Sequence, residues 1–153
     1  MANTYSQMYL HVVFAVAHRE SLIEQKWEEA LFKYISGIAS HCGQKLLAID
    51  GMPDHIHILL SIGPDCKLSD LMRLMKCNSS RWVNENGLAH GKFQWQSGYG
   101  AFSVSTGRLD AVRNYIRGQK EHHAKETFHE EYIRVLNENG IGFDERYIFK
   151  NPE

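Results

Sequence analysis

Residues 45–62 read Lys45-Leu46-Leu47-Ala48-Ile49-Asp50-Gly51-Met52-Pro53-Asp54-His55-Ile56-His57-Ile58-Leu59-Leu60-Ser61-Ile62, and this stretch decides the architecture. Two apolar runs, Lys45 to Gly51 and His55 to Ile62, flank Met52-Pro53-Asp54. Proline and aspartate favour a turn there, so the stretch predicts two strands joined as a hairpin. Side chains alternate across a strand. Ile56, Ile58 and Leu60 therefore face one side, toward a core, and His55 and His57 share the other.

Upstream, Met8 to Val16 is dense in Val, Phe, Leu and Tyr, which suits a central strand buried on both faces. Ile23, Trp27, Leu31, Tyr34, Ile35 and Ile38 recur at helical spacing, and Gly43 stops that helix. Downstream, Ser69 is read as the N-cap of a second helix that buries Leu71, Leu74, Met75 and Trp82 and ends at Asn86-Gly87. An aromatic, glycine-rich loop from Phe93 leads into a strand at Ala101 to Val104. A third helix is expected from about Leu109 to His122, with Leu109, Val112 and Ile116 as its core stripe. Thr127-Phe128-His129-Glu130 is a capping box for a fourth helix, closed by Gly140. The apolar tail through Tyr147, Ile148 and Phe149 is expected to dock, on its own domain or on a second copy. The order strand, helix, strand, strand, helix, strand predicts an α+β fold: a ferredoxin-like split βαβ antiparallel sheet with appended C-terminal helices.

Bulk properties fit one domain over residues 1–153. With 43% hydrophobic and 23% charged residues, the chain has the balance of an ordinary globular protein. No apolar run approaches the roughly 20 residues that span a bilayer. Met1-Ala2-Asn3-Thr4-Tyr5 lacks the basic and apolar regions of a secretory leader. Cys42, Cys66 and Cys77 form no C-x-x-C pair, and reduced thiols in a cytoplasmic protein are expected. Net charge is −1, yet Lys67 to Lys120 holds nine basic residues against three acidic ones. That imbalance fits an anion-binding face or an ordinary solvated helix surface equally well.

Two motifs carry chemistry. His55 and His57, in register on one strand face, can offer two imidazoles to one divalent metal. With nine histidines in the chain, an H-x-H pair is a weak signal alone, and two surface histidines on a half-exposed strand explain it more readily. A histidine-triad nucleotide hydrolase would need a third alternating histidine where Leu59 stands, which argues against that class. Farther on, Tyr115-Ile116-Arg117-Gly118-Gln119 puts Tyr115 and Gln119 four apart, on one helix face. Taken alone, that tyrosine reads as core packing.

Together the motifs resemble the single-tyrosine HUH transposases of the 200/605 insertion-sequence group, U being a bulky apolar residue. The blocks that carry the resemblance are the Tyr9 to Val16 strand, Pro53-Asp54-His55-Ile56-His57-Ile58-Leu59-Leu60, and Lys76-x-x-Ser79-Ser80-Arg81-Trp82. They continue through Trp95-Gln96-x-Gly98-Tyr99-Gly100-Ala101-Phe102-Ser103-Val104 and Tyr115-Ile116-x-x-Gln119 to His122-His123 and Phe128-x-x-Glu131.

The resemblance implies His55, His57 and, through its amide oxygen, Gln119 as ligands of Mg²⁺ or Mn²⁺, with Tyr115 as nucleophile. It implies a homodimer with composite sites, in which the tyrosine helix serves the partner, acting on single-stranded DNA with hairpins. Tyrosine attack leaves a 5′-phosphotyrosine and a free 3′-hydroxyl, which conserves the bond for rejoining. A phenol with a pKa near 10 needs help at neutral pH, and a metal can polarise the phosphate and favour phenolate. Imidazole ligands suit Mn²⁺ better than Mg²⁺.

For DNA handling, Lys67, Arg73, Lys76, Arg81 and Arg117 are candidates for phosphate, and Tyr99 for base stacking. Trp95 and Phe102 are expected in the core more than on bases. His11 is read as a packed core histidine, and His122 and His123 as C-terminal helix residues near the dipole. Two other readings stand beside the transposase: a host-retained relative that binds and nicks chromosomal repeat hairpins, and a non-catalytic hairpin-binding protein.

Overall fold

A computed structural model describes residues 3–153. Met1 and Ala2, the start of the stretch read for a leader, lie outside the described residues. Four strands form one antiparallel sheet: β1 (Met8–Ala15), β2 (Lys45–Met52), β3 (His55–Ile62) and β4 (Gly100–Val104), in the order β2-β3-β1-β4. β3 fills the gap that the β1–helix–β2 crossover leaves, which is the split βαβ arrangement expected from the sequence. Val12 to Ala15 of β1 are fully buried because this strand has neighbours on both edges and layers on both faces.

Register fixes which side chains share a face. His57 lies opposite Val13 and Asp50, Leu59 opposite His11 and Ala48, and His11 opposite Phe102. His11, His55, His57, Leu59 and Phe102 therefore face the same side. Ile56, Ile58 and Leu60 face the other, with Val12 and Phe14 as cross-strand neighbours. That second face packs in one core with helices α1 (Gln25–His41) and α2 (Leu68–Glu85).

Helix α1 buries Trp27, Leu31 and Ile35, as its spacing predicted, together with Ala39, while Tyr34 and Ile38 are half-buried and Ile23 precedes its first turn. Helix α2 departs from expectation in two ways. It starts at Leu68, with Lys67 at the N-cap position and no side-chain cap, so Ser69 sits inside the first turn. Its buried stripe is Leu71, Met72, Met75, Ser79 and Val83, and Trp82 instead stacks on Tyr34 of α1 at 4.8 Å between centroids. Gly87, at φ 58°, ends it in the left-handed region that glycine adopts without steric cost.

The histidine face is covered by the C-terminal segment. The expected single third helix is two: α3 (Leu109–Arg117) and the short α4 (Gln119–His122), separated by Gly118. Ile116 of α3 packs on Ala48 and Leu59, with Leu109 and Val112 beside them. Then α5 (Phe128–Glu138) begins with the predicted capping box, Thr127 accepting from the Glu130 backbone N–H while the Glu130 side chain accepts from that of Thr127. Phe149 of the tail is buried on Phe128 and Tyr132 of α5, so the tail docks on its own chain. No described helix is long and apolar enough to cross a membrane.

Candidate active site

Strand β3 delivers His55 and His57 to one side of the sheet, and both are essentially fully buried. The break at Gly118 turns the chain so that Gln119 also points inward, 0% exposed, with Oε1 3.2 Å from His55 Nε2. Tyr115, one turn earlier, brings its hydroxyl to the same place. The structure thus gathers the four residues singled out in the sequence within a single chain.

It gathers two more to which sequence reasoning assigned no site role, Glu131 and His123. Glu131 of α5 is 0% exposed and lies at the centre of the group. Its Oε1 is 2.9 Å from His57 Nε2, 2.9 Å from His123 Nε2 and 3.2 Å from His55 Nε2. Its Oε2 accepts from the Tyr115 hydroxyl and, at 3.2 Å, from Gln119 Nε2. One carboxylate therefore bridges three imidazoles and the phenol. His123, read as a helix-terminal residue, is one of those imidazoles. His11 is a packed histidine, as expected, with Nε2 2.8 Å from His57 Nδ1.

Every ring in the cluster is held through its far nitrogen. His55 Nδ1 lies 2.7 Å from Asp54 Oδ1, and His123 Nδ1 lies 2.8 Å from the Glu126 carbonyl. Carboxylate and carbonyl oxygens only accept, so both Nδ1 atoms must donate. Neutral His55 and His123 would then each aim a bare Nε2 lone pair at Glu131 Oε1. Facing lone pairs repel, and only protons or a cation between them reconcile the arrangement. The ligand atoms of His55, His57, His123 and Glu131 all lie within 4.8 Å of one another. Far nitrogens fixed by hydrogen bonds, with near nitrogens converging, are the usual outer-shell arrangement of a metal centre.

Electrostatics agree with this reading. Burial by itself would push the Glu131 carboxyl up, but hydrogen bonds from His123, His55 and His57 hold it well below the usual carboxylate range. Burial would lower His55, yet hydrogen bonds to Asp54 and Glu131 raise it. His57 is lowered to about 4 by burial, and His11 to about 3 by burial and by the nearby His57. Tyr115 is raised, first by burial and then by the Glu131 charge, with Arg134 opposing. The resting phenol keeps its proton.

The basic residues proposed for DNA are elsewhere. Lys67 at the N-cap position of α2 and Arg73 and Arg81 along it are exposed, across the sheet from the histidines, and Arg117 is exposed at the end of α3. Lys76 Nζ donates to the carbonyls of Gln96 and Gly98, both at 2.7 Å, and so pins the loop before β4. Tyr99 is half-buried, while Trp95 and Phe102 lie in the core, Trp95 donating its indole N–H to Ser79 at 3.0 Å.

Residues 4–119 match the family described as "Transposase IS200 like". The chain is similar to the ISDra2 transposase TnpA of Deinococcus radiodurans, 26% identical over 120 residues that make up 75% of this chain and 86% of the relative. A solved transposase structure from Deinococcus radiodurans aligns with TM-score 0.60 at 22% identity, over 78% of this chain and 95% of that one. The structure of a REP-associated tyrosine transposase bound to a REP hairpin aligns with TM-score 0.61 at 18% identity, over 100% of this chain and 96% of that one. At such identities the two structures attest the fold. The family match runs from before β1 to Gln119, through all four strands and the tyrosine helix, and on that ground the chain belongs to the IS200-like transposase family.

Proposed function

We propose that this transposase cuts and rejoins single-stranded DNA through a 5′-phosphotyrosine on Tyr115, at a divalent-metal centre built on His55 and His57. One observation carries the reading: three imidazoles and a phenol converge on the two oxygens of one buried carboxylate, Glu131. Glu131 and His123 join His55 and His57 as ligands, and the Gln119 amide oxygen beside His55 Nε2 supplies a further donor. A divalent cation there supplies positive charge that polarises the scissile phosphate and offsets charge in the transition state. Imidazoles with a single carboxylate favour Mn²⁺ over Mg²⁺.

The chain's own groups do the rest. Tyr115 Oη forms the new bond to phosphorus, and the bond to the 3′-oxygen breaks. Glu131 Oε2, hydrogen-bonded to the phenol, orients Oη, and the proton is given up to solvent as the bond to phosphorus forms. Gln119 Nε2 holds that same oxygen in position. The reverse attack by a DNA 3′-hydroxyl releases Tyr115. Because the groups meet inside one chain, we assign Tyr115 to its own subunit's centre. The homodimer implied by the resemblance would then pair two complete sites. Lys67, Arg73, Arg81 and Arg117 are left for the phosphates of a DNA hairpin, and Tyr99 for an unpaired base.

The test is direct. A single strand copied from the DNA flanking the gene, labelled at its 3′ end, is incubated with the protein and Mn²⁺. Labelled protein on a denaturing gel is expected, and EDTA is expected to prevent it. Nicking without a protein-linked product would sink the tyrosine mechanism. Within the same centre, Asp54→Ala is expected to weaken Mn²⁺ binding about 10–100-fold, by loss of the acceptor that orients His55. Equal affinities by calorimetric titration would remove Asp54 from that role.

A host-retained relative that binds and nicks chromosomal repeat hairpins is the second reading. It is favoured by the neighbour bound to a REP hairpin, which alignment covers over the whole chain, α5 included. The other two relatives cover 75% and 78% of the chain. Repeats bounding the gene alone would indicate a mobile element, and repeats scattered through the genome a resident enzyme. A non-catalytic hairpin-binding protein would give no metal-dependent nicking.

A further inference from the structure

Beside Tyr115 and His11, a cleft of about 750 Å³ opens between β4, α3 and α5. Its wall includes Phe102, Val104, Val112 and Val135, with Arg108, Arg134 and the Glu138 carboxylate beside them. None of these residues has a part in the metal centre. The volume is within the range of small-molecule sites, roughly 300–1,000 Å³. Apolar side chains with two arginines beside them suit one nucleotide, base on the former and phosphate on the latter.

Arg134 is the informative member. Its Nη2 donates to Tyr115 Oη at 2.7 Å, and its guanidinium carbon lies 5.6 Å from the centroid of that ring. The fork does not swing freely. Nε donates to Glu126 at 3.0 Å, Nη1 donates to Glu138 at 3.1 Å, and His122 Nε2 is 3.0 Å from Nη2. Two carboxylates thus aim a guanidinium at the one oxygen that must bond to phosphorus. A phosphorus atom joined to Oη sits a single bond away, which brings its non-bridging oxygens within reach of the same N–H groups. Arginine binds such oxygens with directed hydrogen bonds as well as charge.

We propose that this cleft is the subsite for the nucleotide whose 5′-phosphate joins Tyr115, and that Arg134 is a further catalytic residue, the clamp on that phosphate. The proposal rests on the tyrosine-transposase reading above. In the step, the Oη–P bond forms, the P–O3′ bond breaks, the phenol proton is given up to solvent, and the departing 3′-oxygen takes a proton from water to become a hydroxyl. Arg134 exchanges no proton. It offsets negative charge on the phosphoryl oxygens as they become equatorial, as preorganised donors do in general.

The experiment measures single-turnover adduct formation at saturating DNA, with the 3′-labelled flanking strand and Mn²⁺, together with affinity for the uncut strand. Arg134→Gln is expected to slow adduct formation about 100-fold while affinity changes little. Arg134→Lys, which keeps the charge and loses the fork, should recover part of the rate. Ala111→Trp, which fills the cleft from an exposed position of α3, should slow the reaction with the metal centre intact, as judged by Mn²⁺ titration. Wild-type adduct with unchanged rates in Arg134→Gln and Ala111→Trp would overturn the proposal alone. No adduct from the wild type would overturn the reading beneath it.

Discussion

Tyr115→Phe is expected to abolish the covalent protein–DNA product, leaving no labelled band at any concentration of Mn²⁺ or DNA, while binding of the uncut strand persists. The substitution removes one atom, the oxygen that would bond to phosphorus, and no other hydroxyl is placed to replace it. Tyr132 on α5 is another phenol, but its oxygen packs against Gly100, and burial pushes its pKa up to about 12. The fold should tolerate the change. Tyr115 loses hydrogen bonds to Glu131 and Arg134, yet Glu131 keeps Gln119 and three imidazoles, and Arg134 keeps Glu126 and Glu138. A net hydrogen bond to a charged group is worth about 1.5–3 kcal/mol, so a modest loss of stability is expected. Thermal unfolding beside the adduct assay separates loss of chemistry from loss of fold. Adduct at the wild-type level from Tyr115→Phe would remove Tyr115 as the nucleophile.

The sequence and the structure agree where one periodic pattern decides the outcome. Alternation along His55 to Leu60 set both the hairpin and the shared face of the histidines, because a strand allows a side chain only two directions. The apolar run at Met8 to Ala15 likewise had no place but the middle of the sheet. Legibility fails where geometry depends on contacts between distant segments. Glu131 sits in an amphipathic helix as an acidic residue of the first turn, which is how a solvated, dipole-favoured glutamate also looks. Only the packing of α5 across the sheet, with Phe128 stacked at 4.0 Å on His55, turns it inward.

His123 was hidden for a related reason. A continuous helix to His122 would have carried it elsewhere, and Gly118 breaks that helix. Lys76 is the opposite case, a lysine in a basic segment whose charge is taken up by two carbonyls of its own chain. Charge counts along a sequence do not distinguish a cation that meets solvent from one that closes a loop. The family match itself ends at Gln119. Glu131, His123 and Arg134 all follow it, so these neighbours of Tyr115 and the histidine pair lie in the segment beyond the match.

That segment makes Glu131 the most consequential single carboxylate in the chain, and Glu131→Gln is expected to eliminate cation binding without unfolding the protein. The amide has the right shape and the wrong polarity. With its oxygen kept toward the imidazoles, its NH₂ would meet the Gln119 NH₂ that now donates to Oε2 at 3.2 Å. With the amide turned over, its NH₂ donates to an imidazole Nε2 and closes the centre with hydrogens. The second arrangement satisfies more groups, so the variant should fold around a site with no opening for a metal. For the wild type, Mn²⁺ at about a hundred times its Kd adds roughly 2.7 kcal/mol, a rise in melting temperature of about 5–10 °C for a chain of this size. Glu131→Gln should show no such rise. Acid has a related effect on the native protein. Because the folded-state pKa of Glu131 lies below the ordinary carboxylate value of 4.5, its contribution to stability is present above that pH and is lost as pH falls through the folded value. Glu131→Gln should lack this acid-sensitive part of the stability curve. Glu131→Ala, which leaves buried imidazoles facing a void, should instead lose about 3–5 kcal/mol. Wild-type Mn²⁺ affinity in Glu131→Gln would show that the carboxylate is no ligand, and would return the centre to His55, His57 and Gln119 alone.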